Sequence, residues 1–240
     1  MRTIRPSSPS EERGERASRR GERALRKGMT EPRRLYCWFD TEYTTLELER
    51  ARLLEVALIV TDEALLPLPG TAKDIPKNLL RRDGFAAFLT PPPEAEISEH
   101  VKENYRPLLE RCRREGRRAE EVDAHLSSYM DSFPETRIAS ARERPVLAGN
   151  SIYADYFLAR KFLPHFLSHL NYRLFDVTTL KLEWLFHYRE KKFEKLGSPE
   201  SIRELYRGQD PIAGDKHDAY YDVQASITEL EFYRSRLKKI

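Results

Sequence analysis

The chain has 240 residues, of which 40% are hydrophobic and 34% charged, a soluble globular balance with room for one sizeable core. No apolar run reaches the roughly 18–20 residues of a membrane helix and the N-terminus carries no apolar signal segment, so neither a membrane-spanning nor a secreted protein is expected. Two cysteines, Cys37 and Cys112, make neither a disulfide framework nor a zinc ribbon, which points to a reducing, cytoplasmic compartment. Residues 1–34 hold eleven Lys and Arg against five Asp and Glu, so they carry +6 of the formal net charge of +3 and leave −3 on residues 35–240. Such a body is not a basic surface for a long duplex; a nucleic-acid ligand would be short, held locally or bridged by metal ions.

Residues 1–33, rich in Arg, Glu, Ser and Gly, bury too little apolar surface to offset ordering and are expected to be a disordered basic extension. Two readings of this arm stay open: a nucleic-acid tether or organelle address, and a bland extension with the working start at Met29. The first strand is expected over Leu35–Asp40 and the second over Leu53–Thr61, a near-continuous β-branched run that reads as buried on both faces. A third strand, Phe85–Leu89, closes at the triple proline Pro91–Pro93. Glu96–Met130 reads as two polar helices broken near Gly116. Val146–Gly149 is a short strand, Ser151–Leu170 a helix with Leu158, Phe162, Phe166 and Leu170 four apart, and Arg173–Phe175 a strand ending in Asp176. A helix over Thr178–Tyr188 leads to a long irregular connection, 191–216, around a short helix at Ser201–Tyr206. The last helix starts after His217 and runs to about Leu237, with Val223, Ile227 and Leu230 as its buried stripe. Three strands followed by strand–helix alternation predict one α/β domain, residues 34–240, around a five-stranded mixed sheet flanked by helices.

Acids gather where such sheets carry their sites. Asp40 and Glu42 follow the first strand with one residue between them, so on an extended chain both carboxylates point to one side. Asp155 lies one turn into the helix after Gly149-Asn150-Ser151. His217 and Asp222 are five apart, roughly 140° around a helix, and share a site only if His217 precedes the helix and folds back over its first turns; Gly214 permits such a turn. Each residue alone also has a bland reading, as a solvated turn acid, a helix-dipole acid or a loop histidine. Together, four hard oxygen donors suit two Mg²⁺ or Mn²⁺ ions per active site, which could stabilise the attacking and leaving oxygens of a phosphodiester. A histidine could take the proton from the attacking water.

The stretches FDTEYTTLELERARLLEVALIVTD, GNSIYADYFLARKFLP, NYRLFDVTTLK and HDAYYDVQASITELEFYR, in order from Leu35 to the C-terminus, resemble the oligoribonuclease family, in the DEDDh branch of the 3′–5′ exonucleases with an RNase H-like fold. The resemblance implies a divalent-metal-dependent 3′–5′ exonuclease that hydrolyses short single-stranded RNA or DNA with a free 3′ end to 5′ nucleoside monophosphates. Its metal acids fall on Asp40, Glu42, Asp155 and Asp222, and its general base on His217. Leu46 matches a leucine wedged beside a base, and Thr41 is taken as a further substrate contact. Ser151, Arg173 and Thr178 match a cap on the 5′ phosphate of a dinucleotide, and Tyr105 is placed as a base-stacking aromatic. Tyr172 matches a tyrosine that reaches across a homodimer. Thr45 departs from the family's usual glycine, and the 191–216 connection is longer than expected. Both bear on substrate length, so a nuclease for longer DNA or RNA in repair, proofreading or defence is the alternative, with a non-cutting nucleotide sensor as a second.

His165 and His169, four apart, lack a matching acid and are expected at the surface. Trp38 is expected in the core, and Trp184 and Phe186 in the core or a dimer contact. The basic run Arg111–Arg118 could track phosphates, with a solvated helix end as the more frequent explanation.

Overall fold

The structure, a computed structural model, describes residues 33–72, 74–138, 140–187, 199–212 and 217–237. The expected extension, apart from Arg33, lies outside them, as do 191–198 and 213–216 of the long connection, Gly214 included.

Five strands form one mixed sheet in the order β3-β2-β1-β4-β5. They are β1 Tyr36–Tyr43, β2 Leu53–Thr61, β3 Gly84–Phe88, β4 Val146–Gly149 and β5 Leu174–Asp176. β1, β2 and β3 make an antiparallel meander, and β4 and β5 add in parallel on the other side of β1. The helices are α1 Glu99–Asn104, α2 Arg106–Glu115, α3 Ala119–Met130, α4 Tyr153–Phe162, α5 Pro164–Leu167, α6 Val177–His187, α7 Pro199–Leu205 and α8 Ala219–Leu237. None of the described helices is long and apolar enough to cross a membrane.

The sheet is buried on both faces because its strands alternate between two apolar clusters. Cys37 and Phe39 of β1 and Val56, Leu58 and Val60 of β2 pack with Val122, Leu126, Leu158 and Phe166. Trp38, Ala57 and Ile59 pack on the other face with Val223, Ile227 and Leu230, the stripe expected of the last helix. Period-two alternation thus sends residues 37, 39 and 41 toward α4 and residues 38, 40 and 42 toward α8. All nine residues of β2 are buried, as its continuous apolar run requires.

Most elements start and end within a residue or two of expectation, and the larger differences have physical causes. β1 continues past Asp40 because Asp40, Thr41 and Glu42 pair with Ala57, Val56 and Glu55 of β2. The helical stretch before Met130 breaks at Tyr105 as well as at Gly116, giving α1, α2 and α3, with Pro107 in the first turn of α2. The helix expected over Ser151–Leu170 breaks at Leu163, because Pro164 has no N–H to continue it. The new start is capped from α3: Asp123 accepts the His165 and Phe166 backbone N–H groups at 3.1 and 2.8 Å.

Candidate active site

Three elements that are distant in sequence meet at the carboxyl end of β1. Asp40 and Glu42 face α8 from the strand, Asp155 stands in the first turn of α4, and Asp222 in the first turn of α8. With His217 they line one cleft of about 670 Å³, whose wall also holds Leu46, Ser151 and Tyr105. Asp155 and Asp222 are each only 5% exposed. Ligand atoms of Glu42, His217 and Asp222 all lie within 4.8 Å of one another.

The backbone builds this convergence. Gly149 ends β4 against β1, where a Cβ would sit 2.8 Å from the Phe39 carbonyl oxygen. The chain then turns through Ser151, whose φ of 51° is left-handed, and enters α4. His217 also has positive φ, 71°, and precedes α8 instead of belonging to it. Its backbone N–H donates to Asp222 Oδ2 at 3.2 Å, and its Nδ1 lies 3.9 Å from Glu42 Oε1. The fold-back needed to join residues five apart is therefore present.

Electrostatics at the cleft are those of gathered anions. Burial first, then Glu42 and Asp222, pushes the Tyr105 phenol up from its ordinary value. Burial first, then Asp155 and other neighbours that include Glu42 and Asp40, pushes the Tyr43 phenol up to about 12. Carboxylate oxygens with one imidazole fit a hard divalent cation.

The other expected contacts divide. Leu46, 87% exposed, stands on the loop between β1 and β2. Thr45 fits that loop without left-handed backbone, and its Oγ1 accepts the Glu47 N–H at 3.3 Å, so the departure from glycine is not strained. Thr41 lines the cleft, but its hydroxyl donates to Asp155 Oδ1 at 2.7 Å, which makes it a support for that acid. Tyr105 sets its ring edge-on to His217, centroids 5.0 Å apart at 89°. The Ser151 N–H donates to Thr178 Oγ1 at 2.8 Å and to Asp176 Oδ1 at 3.0 Å. Tyr172 and Arg173 are not in the cleft wall; the Arg173 guanidinium lies 5.3 Å over the Tyr172 ring.

No family model matches the chain. Over 201 residues it is 31% identical to the oligoribonuclease of Nocardia farcinica, a match covering 84% of this chain and 80% of that one. The chain belongs to the oligoribonuclease family. A probable oligoribonuclease of Schizosaccharomyces pombe is 30% identical over 202 residues, 82% of this chain and 66% of that one. Among solved structures, E. coli exonuclease I in complex with an oligonucleotide superposes with a TM-score of 0.52 at 16% identity. That match covers 86% of this chain but only 41% of the longer exonuclease I chain, and it bears on the fold alone, which is RNase H-like. As an oligoribonuclease-family member the chain is a hydrolase of the 3′–5′ exonuclease type.

Several residues around this oligoribonuclease-family site escape a reading of the sequence. Glu55, the lone acid in an otherwise apolar strand, is 2% exposed and accepts the Ala219 N–H at 3.4 Å, at the start of α8. Glu229, in the middle of α8, is fully buried. Arg111 of the basic run pairs with Asp218 at 3.5 Å and covers the Phe88 ring, while Arg113, Arg114 and Arg118 pair with exposed glutamates as a solvated helix face does. His100 also lines the cleft, edge-on to Tyr105. Trp38 and Trp184 are core and Phe186 is 75% exposed. Against expectation, His165 does meet an acid, Asp123 at 2.8 Å, and the His169 side chain is largely covered, its Nε2 2.8 Å from the Ser127 hydroxyl.

Proposed function

We propose that the chain removes 5′ nucleoside monophosphates from the 3′ end of short single-stranded RNA or mixed oligonucleotides, with residues 34–240 as the catalytic domain. The observation that carries this reading is the convergence of Asp40, Glu42, Asp155 and Asp222 with His217 in one cleft. The four carboxylates would hold two divalent cations, Mg²⁺ or Mn²⁺, which when bound supply positive charge to the attacking and leaving oxygens of the phosphodiester. His217 takes the proton from the attacking water, the role of a positioned imidazole base. Its N–H bond to Asp222 and its ring contact with Tyr105 hold it over the cleft. Leu46, the apolar tip of the β1–β2 loop, separates the terminal bases.

Ser151 with Thr178, joined by Arg173, takes the 5′ phosphate of a dinucleotide. Tyr172 serves the site of a second copy in a homodimer. Exposed Leu174 on edge strand β5 and Leu182 and Phe186 on α6 supply apolar surface for that contact.

The test is cleavage of 5′-phosphorylated RNA two-mers, seven-mers and 20-mers, and matched DNA, with Mn²⁺. Asp40→Ala and Asp222→Ala are expected to abolish turnover and weaken Mn²⁺ binding in calorimetry while keeping the wild-type circular dichroism. His217→Ala is expected to lose about 10²- to 10⁴-fold in kcat, the usual worth of a positioned base. Retained turnover in either aspartate variant overturns the reading.

A further inference from the structure

The described part of the long connection, residues 199–212, is strapped to the sheet by one buried acid. Asp83, the residue before β3, is 3% exposed. Its Oδ1 accepts the Gln209 N–H at 2.9 Å, and its Oδ2 accepts the Asp210 N–H at 2.8 Å and the Tyr206 hydroxyl at 2.9 Å. The Asp83 N–H returns the bond, donating to Asp210 Oδ2 at 2.9 Å. A Cβ at position 208 would run into Asp83 Oδ2 and the Tyr206 ring, so this close approach requires Gly208.

One further bond joins the strap to the helix that carries the candidate active site. Asp210 Oδ2, already bonded to the Asp83 N–H, also accepts the Tyr220 hydroxyl at 2.7 Å. Tyr220 is in the first turn of α8, where its backbone N–H donates to Asp218 Oδ1 at 3.1 Å. Its side chain is mostly buried, with the Arg81 guanidinium 6.0 Å over the ring. Neither Tyr220 nor Asp210 lines the cleft. His217 stands between them in the chain.

His217 requires such support. Its φ of 71° is left-handed, a conformation that persists at a site only where the surroundings over-determine it. The bond from its N–H to Asp222 ties it to the helix that follows. The Asp210–Tyr220 bond closes the span 210–220 around it, and a closed span leaves fewer conformations to the residues inside. The anchor also has the right reference frame. Tyr206, Ile212 and Tyr220 pack in one apolar cluster with Trp38, Ala57 and Ile59, on the sheet face toward which Asp40 and Glu42 point. The strap therefore refers the imidazole to the same strand that presents the acids.

We propose that Tyr220 and Asp210 are positioning residues for His217. Their hydrogen bond, anchored on the sheet by Asp83, sets the imidazole relative to Asp40 and Glu42. This rests on the exonuclease reading above and deepens it, since it makes the connection before His217 part of the frame that holds the base.

The test is steady-state cleavage of a 5′-phosphorylated RNA two-mer in Mn²⁺ by the full chain, with Mn²⁺ calorimetry alongside. Tyr220→Phe keeps the ring and removes the donor, and Asp210→Ala removes the acceptor. Each is expected to lower kcat about tenfold, the order of one lost hydrogen bond to a charged acceptor, with KM and Mn²⁺ affinity within about twofold of wild type. Asp210→Asn keeps an oxygen for both bonds and is expected to restore kcat. In a His217→Ala background Tyr220→Phe is expected to cost nothing more, because a residue that acts only through His217 then has nothing to position. An equal loss in that background, an unchanged kcat in both single variants, or a loss carried by KM or by Mn²⁺ affinity overturns the proposal. Nuclear magnetic resonance of histidine-labelled protein gives a readout that needs no cleavage. The His217 ring signal, assigned by its absence from His217→Ala, is expected as one narrow line in wild type and as a broadened or divided one in Tyr220→Phe. That change, with no cleavage by wild type, upholds the positioning and refutes the exonuclease reading. An unchanged signal overturns the positioning whether or not wild type cleaves.

Discussion

Glu229 is fully buried, yet its Oε2 accepts a hydrogen bond from Asn150 Nδ2 at 2.9 Å, tying the middle of α8 to the turn that opens the cleft. The Lys181 ammonium lies 3.2 Å from Glu229 Oε1, and the Tyr233 hydroxyl donates to that same oxygen at 3.0 Å, so the carboxylate is paired and bonded. Asn150 Oδ1 then accepts from the Thr178 hydroxyl at 3.3 Å, and Thr178 Oγ1 accepts the Ser151 N–H. The left-handed backbone at Ser151 is over-determined by this chain of bonds, which is how an unfavourable conformation persists at a site.

Of this pair only Glu229 is fully buried; the Lys181 side chain is 31% exposed. Glu229→Ala, which takes the acceptor from Asn150 and Tyr233 as well as the partner from Lys181, is expected to cost about 1–3 kcal/mol of stability, read by urea unfolding. Lys181→Met combined with Glu229→Gln is expected to recover a large part of that loss, because the buried charge goes with its partner. With the turn loosened, KM for a 5′-phosphorylated two-mer is expected to rise more than kcat falls. Additive losses in the double variant would show that the two side chains do not act as a pair.

The Thr41–Asp155 bond makes a second prediction. Asp155 starts α4, and the Thr41 hydroxyl, from the same face of β1, fixes the direction of its carboxylate at 2.7 Å. Thr41→Val keeps the shape and removes the donor. Partners that orient a metal-binding carboxylate are worth about 10- to 100-fold in metal affinity or activity, so Mn²⁺ affinity and kcat are both expected to fall by that order. Thr41→Ser is expected to restore them. A loss in KM alone would return Thr41 to a direct substrate contact.

The two predictions draw on different depths of the sequence. Asp40, Glu42, Asp155, Asp222 and His217 are legible because acids at strand ends and helix starts carry local signals, and the spacing of His217 and Asp222 demands a fold-back. The full length of β1 is not legible: Asp-Thr-Glu looks like a loop until Val56, Ala57 and Glu55 are known to lie opposite, a contact between separate stretches of chain. The packing of Thr41 and Tyr105 is hidden for a related reason. Each is a plausible ligand contact from its position, but the fold brings the hydroxyl of one and the ring of the other onto Asp155 and His217. Glu229 gives no signal, since it stands among the polar residues Gln224, Ser226, Thr228 and Glu231 of α8 and passes for a solvent residue.

Tyr105 separates positioning from base stacking. Its ring meets the His217 ring edge-on, an arrangement worth about 0.5–1.5 kcal/mol. Tyr105→Ala is therefore expected to lower kcat on a two-mer by about 2- to 13-fold with a smaller change in KM. Tyr105→Phe keeps the ring and is expected to restore kcat. A rise in KM with kcat unchanged in the alanine variant would mean that the ring stacks on substrate instead.

Glu55 gives the fold a pH dependence whose sign is fixed by its surroundings. Burial first, then Asp218, raises its carboxyl from 4.5 to about 8, while the Ala219 N–H, Arg111 and Arg81 pull the other way. The folded-state value lies above the unfolded one, so between about pH 4.5 and pH 8 the native state holds a proton that the unfolded chain has released. By linkage, stability falls as pH rises through that window; the contribution is full below the unfolded value and lost above the folded one. Glu55→Gln keeps the shape and an acceptor for Ala219 but cannot ionise. Its Tm is expected to fall less than that of wild type between about pH 5 and pH 9, and to exceed it at the upper end. Parallel Tm profiles for the two proteins would show that Glu55 is charged in the native state throughout, and that the start of α8, with His217 just before it, rests on an ionised carboxylate.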